Sequence, residues 1–395
     1  MRLVVMANAR IPSEKAHPLQ IMQMAEAFAA QNLETFVLYA RRANTEAMQQ
    51  VRDPFTYFEV ERRFALVGLP CLDLVKRITI DWPLLNIAPL RLIAHMLQLW
   101  TFALSAMVVI RRLRADVIYS RDLFPLTLTT FSRRRQARTC FEAHTLPRSS
   151  LSQRLHLWAV RRVDRIVVIS AALRYWYLIR GLPADRVLLA HDAAPDAALA
   201  SESREEARRA LDILAEAQLV CYIGHLYRWK GVDTLVAAAA KLSDAAQVAI
   251  VGGVSPDVDR IRGAALGHPN VLVTGHLSPG DARRYVVAAD VAVIPFSGTT
   301  AIAREHTSPL KMFEYMAAGT PIVASNLPSL REVLRHEHNA LLVPPDDESA
   351  LAAAILRLLR DHDLAARLAR TARNEVTDRT WKRRAARIVD FLDLA

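Results

Sequence analysis

The chain has 395 residues, of which 52% are hydrophobic and 23% are charged. This length accommodates two domains with cores of their own, and the composition is ordinary for a soluble globular protein. Because Cys71, Cys140 and Cys221 form no CxxC pair, the sequence argues against a disulfide framework and a zinc site. The opening apolar run is too short for a signal peptide, so we expect a cytoplasmic protein.

The net charge of +11 is unevenly distributed. Residues 1–190 hold 27 Lys and Arg against 14 Asp and Glu, and the remainder holds 24 against 26. Such asymmetry favours a polyanionic partner for the first half, although a solvated basic face is the plainer alternative. Since this half has neither zinc-finger spacing nor interleaved aromatic residues, we expect an anionic membrane surface and no nucleic acid. The densest basic residues are Arg111, Arg112, Arg114, Arg133, Arg134, Arg135, Arg138, Arg161 and Arg162.

Short β-branched runs alternate with helical segments along the first half, the pattern of parallel sheets built from βαβ units. The uncharged stretch 96–110 has roughly fifteen residues, whereas a membrane-spanning helix needs ~20. We therefore expect a buried helix there, with attachment to a membrane interface as the alternative. Helical periodicity is clearest at 19–31, and strands are predicted at 3–8, 35–40, 116–120, 139–143, 165–170 and 187–190.

The same pattern restarts in the second half, after the polar and acidic segment 191–208, where we place an interdomain hinge. The sequence predicts an α/β protein with two Rossmann-like, doubly wound parallel-sheet domains, 1–195 and 196–380, facing a cleft at their strand C-termini. Residues 381–395 are expected to form a helix that packs back towards the first domain. The second series of strands is predicted at 218–224, 247–253, 271–275, 291–295 and 321–325.

The segment SPLKMFEYMAAGTPIVAS (308–325) predicts a helix that begins directly after a strand and its loop. Ser308 is a good N-cap, Pro309 suits the first helical position, and Gly319 ends the helix. The free N–H groups at its start are suited to the diphosphate of a nucleotide sugar. Glu314, one and a half turns in, could accept hydrogen bonds from two ribose hydroxyls; a surface Glu is the plainer alternative.

A second anion-facing turn is predicted in GHLYRWKGVDTL (224–235). A strand ends at Gly224 and a helix starts near Gly231, with Arg228 and Lys230 on the connecting loop. Either cation could approach the same phosphates and stabilise a departing nucleoside diphosphate.

Four segments, in this order, resemble the family 4 retaining glycosyltransferases: FEAHTLP (141–147), DRIVVISAALR (164–174), YIGHLYRWKGVDTL (222–235) and TSPLKMFEYMAAGTPIVASNLPSLREVL (307–334). The resemblance covers nearly the whole chain and implies the GT-B fold. It also implies transfer of a sugar from a UDP- or GDP-sugar to a hydroxyl acceptor, such as a lipid-linked or surface glycan. Neither a metal nor another cofactor is expected, and we expect attachment to the inner face of the membrane.

The resemblance also implies roles for individual residues. Lys230 corresponds to the family's diphosphate-binding Lys, Glu314 to the Glu that holds the donor ribose, and His144 to a first-domain His that contacts the transferred sugar. His144, Arg228 and Lys230 are therefore predicted to be catalytic. The predicted donor-binding residues are Gly224 and His225, the Gly275–His276 turn facing the base, His306 and Thr307, the phosphate-cradling backbone of Ser308, Pro309 and Leu310, and Glu314.

Two positions depart from the family pattern. His306 stands where the first Glu of the Glu-x7-Glu signature is usual, although Glu305 is adjacent. His225 stands where an Arg usually follows the strand glycine, and Arg228 could supply that charge. We interpret these departures as the mark of a subfamily. A non-catalytic subunit that keeps the donor site is an alternative, and His306 and His225 are its best support. A nucleotide-sugar epimerase of the same architecture and a basic membrane- or nucleic-acid-binding module are two further possibilities that the sequence leaves open.

Overall fold

The computed structural model describes residues 1–74, 88–131, 137–196, 202–242 and 245–394. The chain forms two compact units. Unit 1 comprises 1–168, 173–190 and 385–395, and unit 2 comprises 169–172 and 191–384. Arg133, Arg134 and Arg135 of the predicted basic cluster, and residues 197–201 of the predicted hinge, lie outside the described residues.

Unit 1 contains a seven-stranded parallel sheet in the order β3-β2-β1-β4-β5-β6-β7. The strand β1 lies in the interior of the sheet, and its Met6 lies opposite Leu38 on one side and Ser120 on the other. The apolar runs form buried parallel strands because helices cover both faces of such a sheet. The strands are β1 (Arg2–Ala7), β2 (Glu34–Arg41), β3 (Ala65–Pro70), β4 (Val117–Ser120), β5 (Arg138–Ala143), β6 (Arg165–Val168) and β7 (Val187–Leu189).

The helices of unit 1 connect these strands. The fourth, α4, runs over 26 residues, so the uncharged stretch 96–110 belongs to a longer helix that by length and composition could cross a membrane. The expectation of a buried helix is correct for one face only, because Phe102 and Ala106 are buried whereas Leu104 and Val108 are exposed. The described helices are α1 (Ala16–Ala29), α2 (Glu46–Gln49), α3 (Pro54–Phe58), α4 (Ala88–Leu113), α5 (Leu123–Thr130), α6 (Ser150–Val160) and α7 (Ala171–Leu178), whose first two residues belong to unit 2.

Unit 2 contains a six-stranded parallel sheet in the order β10-β9-β8-β11-β12-β13. The order reverses between β8 and β11, which makes the carboxyl ends of these two strands the point where doubly wound sheets bind ligands. The strands are β8 (Leu219–Ile223), β9 (Gln247–Val251), β10 (Val271–Gly275), β11 (Val291–Ile294), β12 (Ile322–Ser325) and β13 (Leu341–Val343).

Hydrophobic residues fill both sides of this second sheet, one side including Met312 and the other Ile355. The helices of unit 2 are α8 (Arg204–Ala210), α9 (Val232–Ala239), α10 (Asp257–Ala264), α11 (Pro279–Ala288), α12 (Ala301–Glu305), α13 (Leu310–Ala318), α14 (Pro328–Arg331), α15 (Glu348–Arg360) and α16 (His362–Val376). The last helix, α17 (Trp381–Phe391), begins in unit 2, and its residues from 385 onward belong to unit 1.

The predicted fold class, two parallel α/β domains of the Rossmann type, is confirmed. Two strands were not predicted, β3 and β13, and each is the outermost strand of its sheet. The sequence of β3, ALVGLP, is apolar, but it contains Gly68 and ends at Pro70, two residue types that are unusual within strands.

Candidate functional site

Two loops meet where the strand order of unit 2 reverses. Strand β8 leads into Gly224, which has a φ of +116°, and a short 3-10 turn, Arg228–Lys230, follows. Gly231, with a φ of +64°, then begins α9. A Cβ at Gly231 would lie 1.7 Å from the carbonyl oxygen of Pro295, so only glycine lets the loop after β11 pass this close. The Ser297 amide also donates to the Trp229 carbonyl at 3.0 Å.

The helix α13 begins beside these loops, with Pro309 in an extended conformation before its first residue and no side chain capping it. The prediction that Ser308 caps this helix was wrong, because its hydroxyl accepts a hydrogen bond from the Asp192 amide at 2.9 Å instead. Within the described residues, no side chain therefore caps the first amides of the helix, those of Leu310 and Lys311, which suits an anion, whereas the Met312 amide donates to the Pro309 carbonyl at 3.0 Å. The helix ends at Gly319, whose φ of +70° matches the prediction of a glycine stop.

Two lysines reach towards the ring of Phe296. The Lys230 Nζ lies 3.8 Å from the centroid of the Trp229 ring and 4.2 Å from that of Phe296. The Lys311 Nζ lies 3.5 Å from the centroid of Tyr222 and 5.7 Å from that of Phe296. Burial lowers the pKa of Lys230 to about 7 and holds the pKa of Lys311 well below its usual range.

Arg228 and His225 were also predicted at the donor site, but the contacts of their side chains differ from those of the two lysines. The side chain of Arg228 is exposed to solvent on the 3-10 turn. The ring of His225 stacks on Tyr227 with centroids 5.0 Å apart, and the His225 carbonyl accepts a hydrogen bond from the Tyr222 hydroxyl at 2.6 Å. Tyr222 thus supports both the turn and the Lys311 ammonium.

Glu314 projects from α13 with only 9% of its surface exposed, and its charge raises the pKa of Lys311 against the effect of burial. A surface Glu, the plainer alternative, is thereby ruled out. His306 ends α12, and its Nε2 lies 3.9 Å from a carboxylate oxygen of Glu305. Burial lowers the pKa of His306, which favours a neutral ring at pH 7.

The remaining predicted donor-binding residues lie in the same unit. Thr307 and Leu310, on either side of the buried pair Ser308 and Pro309, are half-buried. Gly275 has a φ of +80°, and its carbonyl accepts a hydrogen bond from the Gly252 amide at 2.8 Å. This bond ties the ends of β9 and β10 together and places the following His276, half-buried, at the carboxyl edge of the sheet.

His144 lies in unit 1, just after the carboxyl end of β5. Its Nε2 is 2.5 Å from Glu142 Oε1. Glu142 is fully buried and also accepts hydrogen bonds from Gln20, at 2.8 Å, and from the Tyr119 hydroxyl. A buried carboxylate therefore fixes the orientation of the His144 ring.

Sequence reasoning missed Glu142 and Lys311. The spacing of Glu142 and His144 was a usable signal, because residues two apart on a strand point to the same side. Lys311 carried no such signal, since a lysine in a helix usually reaches solvent.

Two family models match the chain. One, described as Glycosyltransferase Family 4, matches residues 19–192, and the other, described as Glycosyl transferases group 1, matches 217–361. Together they span all four of the segments that carry the resemblance.

Curated relatives match parts of the chain. A GDP-mannose-dependent alpha-(1-6)-phosphatidylinositol monomannoside mannosyltransferase of Mycobacterium tuberculosis is 30% identical over 225 residues, 55% of this chain and 55% of that protein. An alpha-D-kanosaminyltransferase of Streptomyces kanamyceticus is 27% identical over 244 residues, 59% of this chain and 60% of that protein. The matched part thus spans between half and two thirds of these relatives.

Solved structures match over the full length. HepE of Anabaena in complex with UDP has a TM-score of 0.74 and 17% identity, with 100% of both chains covered. Sucrose-phosphate synthase of Thermosynechococcus elongatus has a TM-score of 0.73 and 21% identity, covering 100% of this chain and 98% of that one. At these identities the likeness concerns the fold.

Proposed function

This chain belongs to glycosyltransferase family 4, and we propose that it transfers a sugar from a UDP- or GDP-sugar to a hydroxyl acceptor with retention at the anomeric carbon. One observation carries the proposal. The Lys230 ammonium and the uncapped first turn of α13 both lie at the carboxyl edge of the unit 2 sheet, beside the β8–β11 reversal. Cations and free amides at that edge fit a diphosphate.

The proposed reaction breaks the bond between the anomeric carbon and a phosphate oxygen and forms a bond from that carbon to the acceptor oxygen. The departing phosphate oxygen takes the acceptor's proton on the same face, so no strong protein base is needed. Lys230 and the amides of α13 stabilise the charge that develops on the nucleoside diphosphate. Arg228 lies close enough along the chain to add a more solvent-screened charge. No metal is assigned to the reaction.

The roles of the other residues follow from the same proposal. The buried Glu314 holds the two ribose hydroxyls, and the Gly275–His276 turn faces the base. His144, oriented by Glu142, is assigned to the transferred sugar by resemblance to the family. A neutral His306 can accept or donate one hydrogen bond to the sugar, where a Glu could only accept.

The test is to incubate the protein with a panel of UDP- and GDP-sugars and to measure nucleoside diphosphate release with and without hydroxyl acceptors. Acceptor-dependent release that persists in EDTA is the expected result. Tight nucleotide binding without release under any condition would instead support the silent subunit, for which His306 and His225 are the motivating substitutions. Conversion of the donor into a different sugar nucleotide would identify an epimerase.

We also propose that unit 1 attaches to an anionic membrane surface, from which a lipid-linked glycan would be supplied as the acceptor. The helix α4 carries the main observation. One face packs into the unit through residues such as Phe102, Ala106 and Ile110. The opposite face leaves large apolar side chains exposed, namely Leu92, Ile93, Met96, Leu97, Trp100, Leu104 and Val108.

This apolar surface continues onto the neighbouring helices. α4 packs beside α5, and α5 beside α6. Because crossovers between parallel strands are right-handed as a rule, the helices that follow β3, β4 and β5 are expected on the same face of the sheet. Phe131, Leu151, Leu155 and Trp158 are exposed there as well. The Arg162 guanidinium lies 3.8 Å from the centroid of the Trp158 ring, so positive charge accompanies the apolar surface.

By length and composition alone α4 could cross a membrane, but a third of its most apolar stretch is buried in the protein. A helix with one face packed on a sheet and the other apolar suits the interface, where flanking Arg91, Arg111 and Arg112 can meet anionic headgroups. Arg138 of the predicted basic cluster is instead paired with Asp393 at 3.0 Å. These features support attachment to a membrane, and the cytoplasmic face remains part of the proposal.

Co-sedimentation with vesicles tests the membrane proposal. We expect binding to vesicles containing anionic lipid, weaker binding to neutral vesicles, and partial release by salt. Equal binding to both vesicle types, or none to either, would contradict it.

A further inference from the structure

We propose that Lys311 is a donor-binding residue, and that Lys311 and Lys230 together hold the diphosphate of the nucleotide sugar. This inference rests on the proposed function. It adds a residue to the donor site that the sequence analysis did not identify, either from the 308–325 segment or from the 224–235 loop. It makes α13 the source of a side-chain cation as well as of free amides.

The environment of the Lys311 ammonium is the main observation. Lys311 is the second residue of α13, and 7% of its surface is exposed. Within the described part of the chain, its Nζ has no hydrogen-bond partner and contacts the face of Tyr222. A buried ammonium has three N–H donors to satisfy, and an aromatic face does not replace three acceptors. The side chain is therefore poised for a ligand that supplies oxygen atoms.

The second ammonium lies nearby. Lys230 and Lys311 both face the ring of Phe296, and the positive charge of Lys230 is one cause of the lowered pKa of Lys311. Two like charges in a desolvated site disfavour each other unless an anion lies between them. A diphosphate carries enough negative charge and enough oxygen atoms to satisfy both.

The other titratable groups around Lys311 do not replace such an anion. Glu314, on the same helix, is a carboxylate whose charge opposes the effect of Lys230. Burial raises the pKa of the Cys221 thiol and of the Tyr222 and Tyr315 hydroxyls, so these three groups are neutral at pH 7. Two lysines thus face a single carboxylate among these groups.

Gly224 makes room for the Lys311 ammonium. A Cβ built on Gly224 would lie 3.1 Å from the Lys311 Nζ, and Gly224 itself has none. The ammonium therefore lies close against the backbone at the end of β8, on the same edge of the sheet as the first turn of α13. A ligand phosphate bound to those amides would have Lys311 within reach.

The experiment compares the full-length parent with Lys311→Met, which keeps the length of the side chain and removes the charge. Lys241→Met, at an exposed lysine in the same unit, is the matched control. Titration calorimetry with UDP, UMP, GDP and GMP measures each affinity. We expect Lys311→Met to weaken binding of the preferred diphosphate about 10- to 100-fold and to reduce the advantage of diphosphate over monophosphate, whereas Lys241→Met should bind like the parent.

Thermal unfolding without ligand checks that the variant folds. Because a methionine suits a buried apolar position better than an unpaired ammonium, its melting temperature should equal or exceed that of the parent. Lys311→Gln provides a second uncharged variant with the same expected loss. Diphosphate affinity within twofold of the parent in both variants would overturn the inference, as would an equal loss for monophosphate and diphosphate. If the parent binds no nucleotide at all, the proposed function fails first.

Discussion

The hydroxyl of Tyr315 accepts a hydrogen bond from the backbone amide of Ile223 at 3.0 Å. Ile223 is the last residue of β8, and Tyr315 lies on α13 between Glu314 and the apolar core. This bond joins the strand that leads to Gly224 to the helix that carries Lys311. The two parts of the donor site are thereby held in a fixed relation to each other.

We expect Tyr315→Phe to lower the free energy of unfolding by about 1–3 kcal/mol, because it leaves a buried amide without an acceptor. Urea denaturation measures this change, and the affinity for nucleoside diphosphate should fall as well. Tyr285→Phe, at a half-buried tyrosine of the same unit, is the control. Equal effects of the two substitutions would show that the Ile223 bond has no special importance.

The lowered pKa of Lys230, about 7, predicts that diphosphate binding weakens as pH rises from about 7 to 9. In the free protein Lys230 loses its proton over this range, and burial together with the charge of Lys230 lowers the pKa of Lys311 as well. A bound diphosphate stabilises both charged forms, so binding should be accompanied by proton uptake. Calorimetry in buffers of different ionisation enthalpy measures that uptake, and Lys230→Met should reduce it.

The same shift affects the stability of the free protein. Between about pH 7 and 10.5 the unfolded chain holds a proton on Lys230 that the folded chain lacks, so the free energy of unfolding should rise with pH. The rise should be smaller in Lys230→Met. A parent protein whose nucleotide affinity is constant across this range would contradict a buried cationic diphosphate site.

The Glu142–His144 pair leads to a prediction about turnover. Glu142→Gln replaces the charged partner of His144 by a neutral one and should lower kcat/KM on the order of 10- to 100-fold. Binding of nucleoside diphosphate should remain unchanged, because the residues assigned to it lie in unit 2. Steady-state kinetics and calorimetry separate the two effects, with Glu34→Gln as an exposed control. If Glu142→Gln weakened only nucleotide binding, the proposed role of His144 at the transferred sugar would be wrong.

The sequence predicted the parallel sheets and the loops that form the proposed donor site. It did not predict which side chains contact each other within that site. The central strands were predictable because strands buried on both faces are continuous apolar runs. Gly231 and Gly319 were predictable turn and stop positions, and both have positive φ. The edge strands β3 and β13 were not, although both are apolar in sequence, because β3 contains Gly68 and ends at Pro70 and β13 has only three residues.

The errors within the site come from contacts between residues distant in the chain. Serine is a residue type that favours the N-cap position. The hydroxyl of Ser308 instead accepts a hydrogen bond from the amide of Asp192, 116 residues away in the chain. Lys311 is buried against Tyr222, from β8, with Phe296 from the loop after β11 nearby. Neither contact can be inferred from local spacing, because each depends on how β8 and the 191–196 segment pack around α13.

The exposed face of α4 predicts which substitutions release the protein from membranes. Leu104→Asp and Val108→Asp together should lower partitioning onto anionic vesicles at least about tenfold, since each removes apolar area and adds a negative charge. Leu214→Asp, at a leucine 67% exposed in unit 2, is the control. If the two α4 substitutions leave vesicle binding unchanged and Leu214→Asp weakens it, the membrane-binding surface lies in unit 2 and not on α4.

Glu314 provides the sharpest test of donor orientation. A buried carboxylate that accepts hydrogen bonds from both ribose hydroxyls should make the parent bind a 2′-deoxynucleoside diphosphate about 10-fold more weakly than the ribonucleotide. In Glu314→Ala the ribonucleotide should bind as weakly as the deoxy analogue, because the acceptor is gone from both. Glu305→Ala, adjacent to His306, should keep the parent's discrimination. If Glu314→Ala still discriminates between the two sugars, the ribose lies elsewhere, and the diphosphate must then enter the Lys230–Lys311 site from another direction.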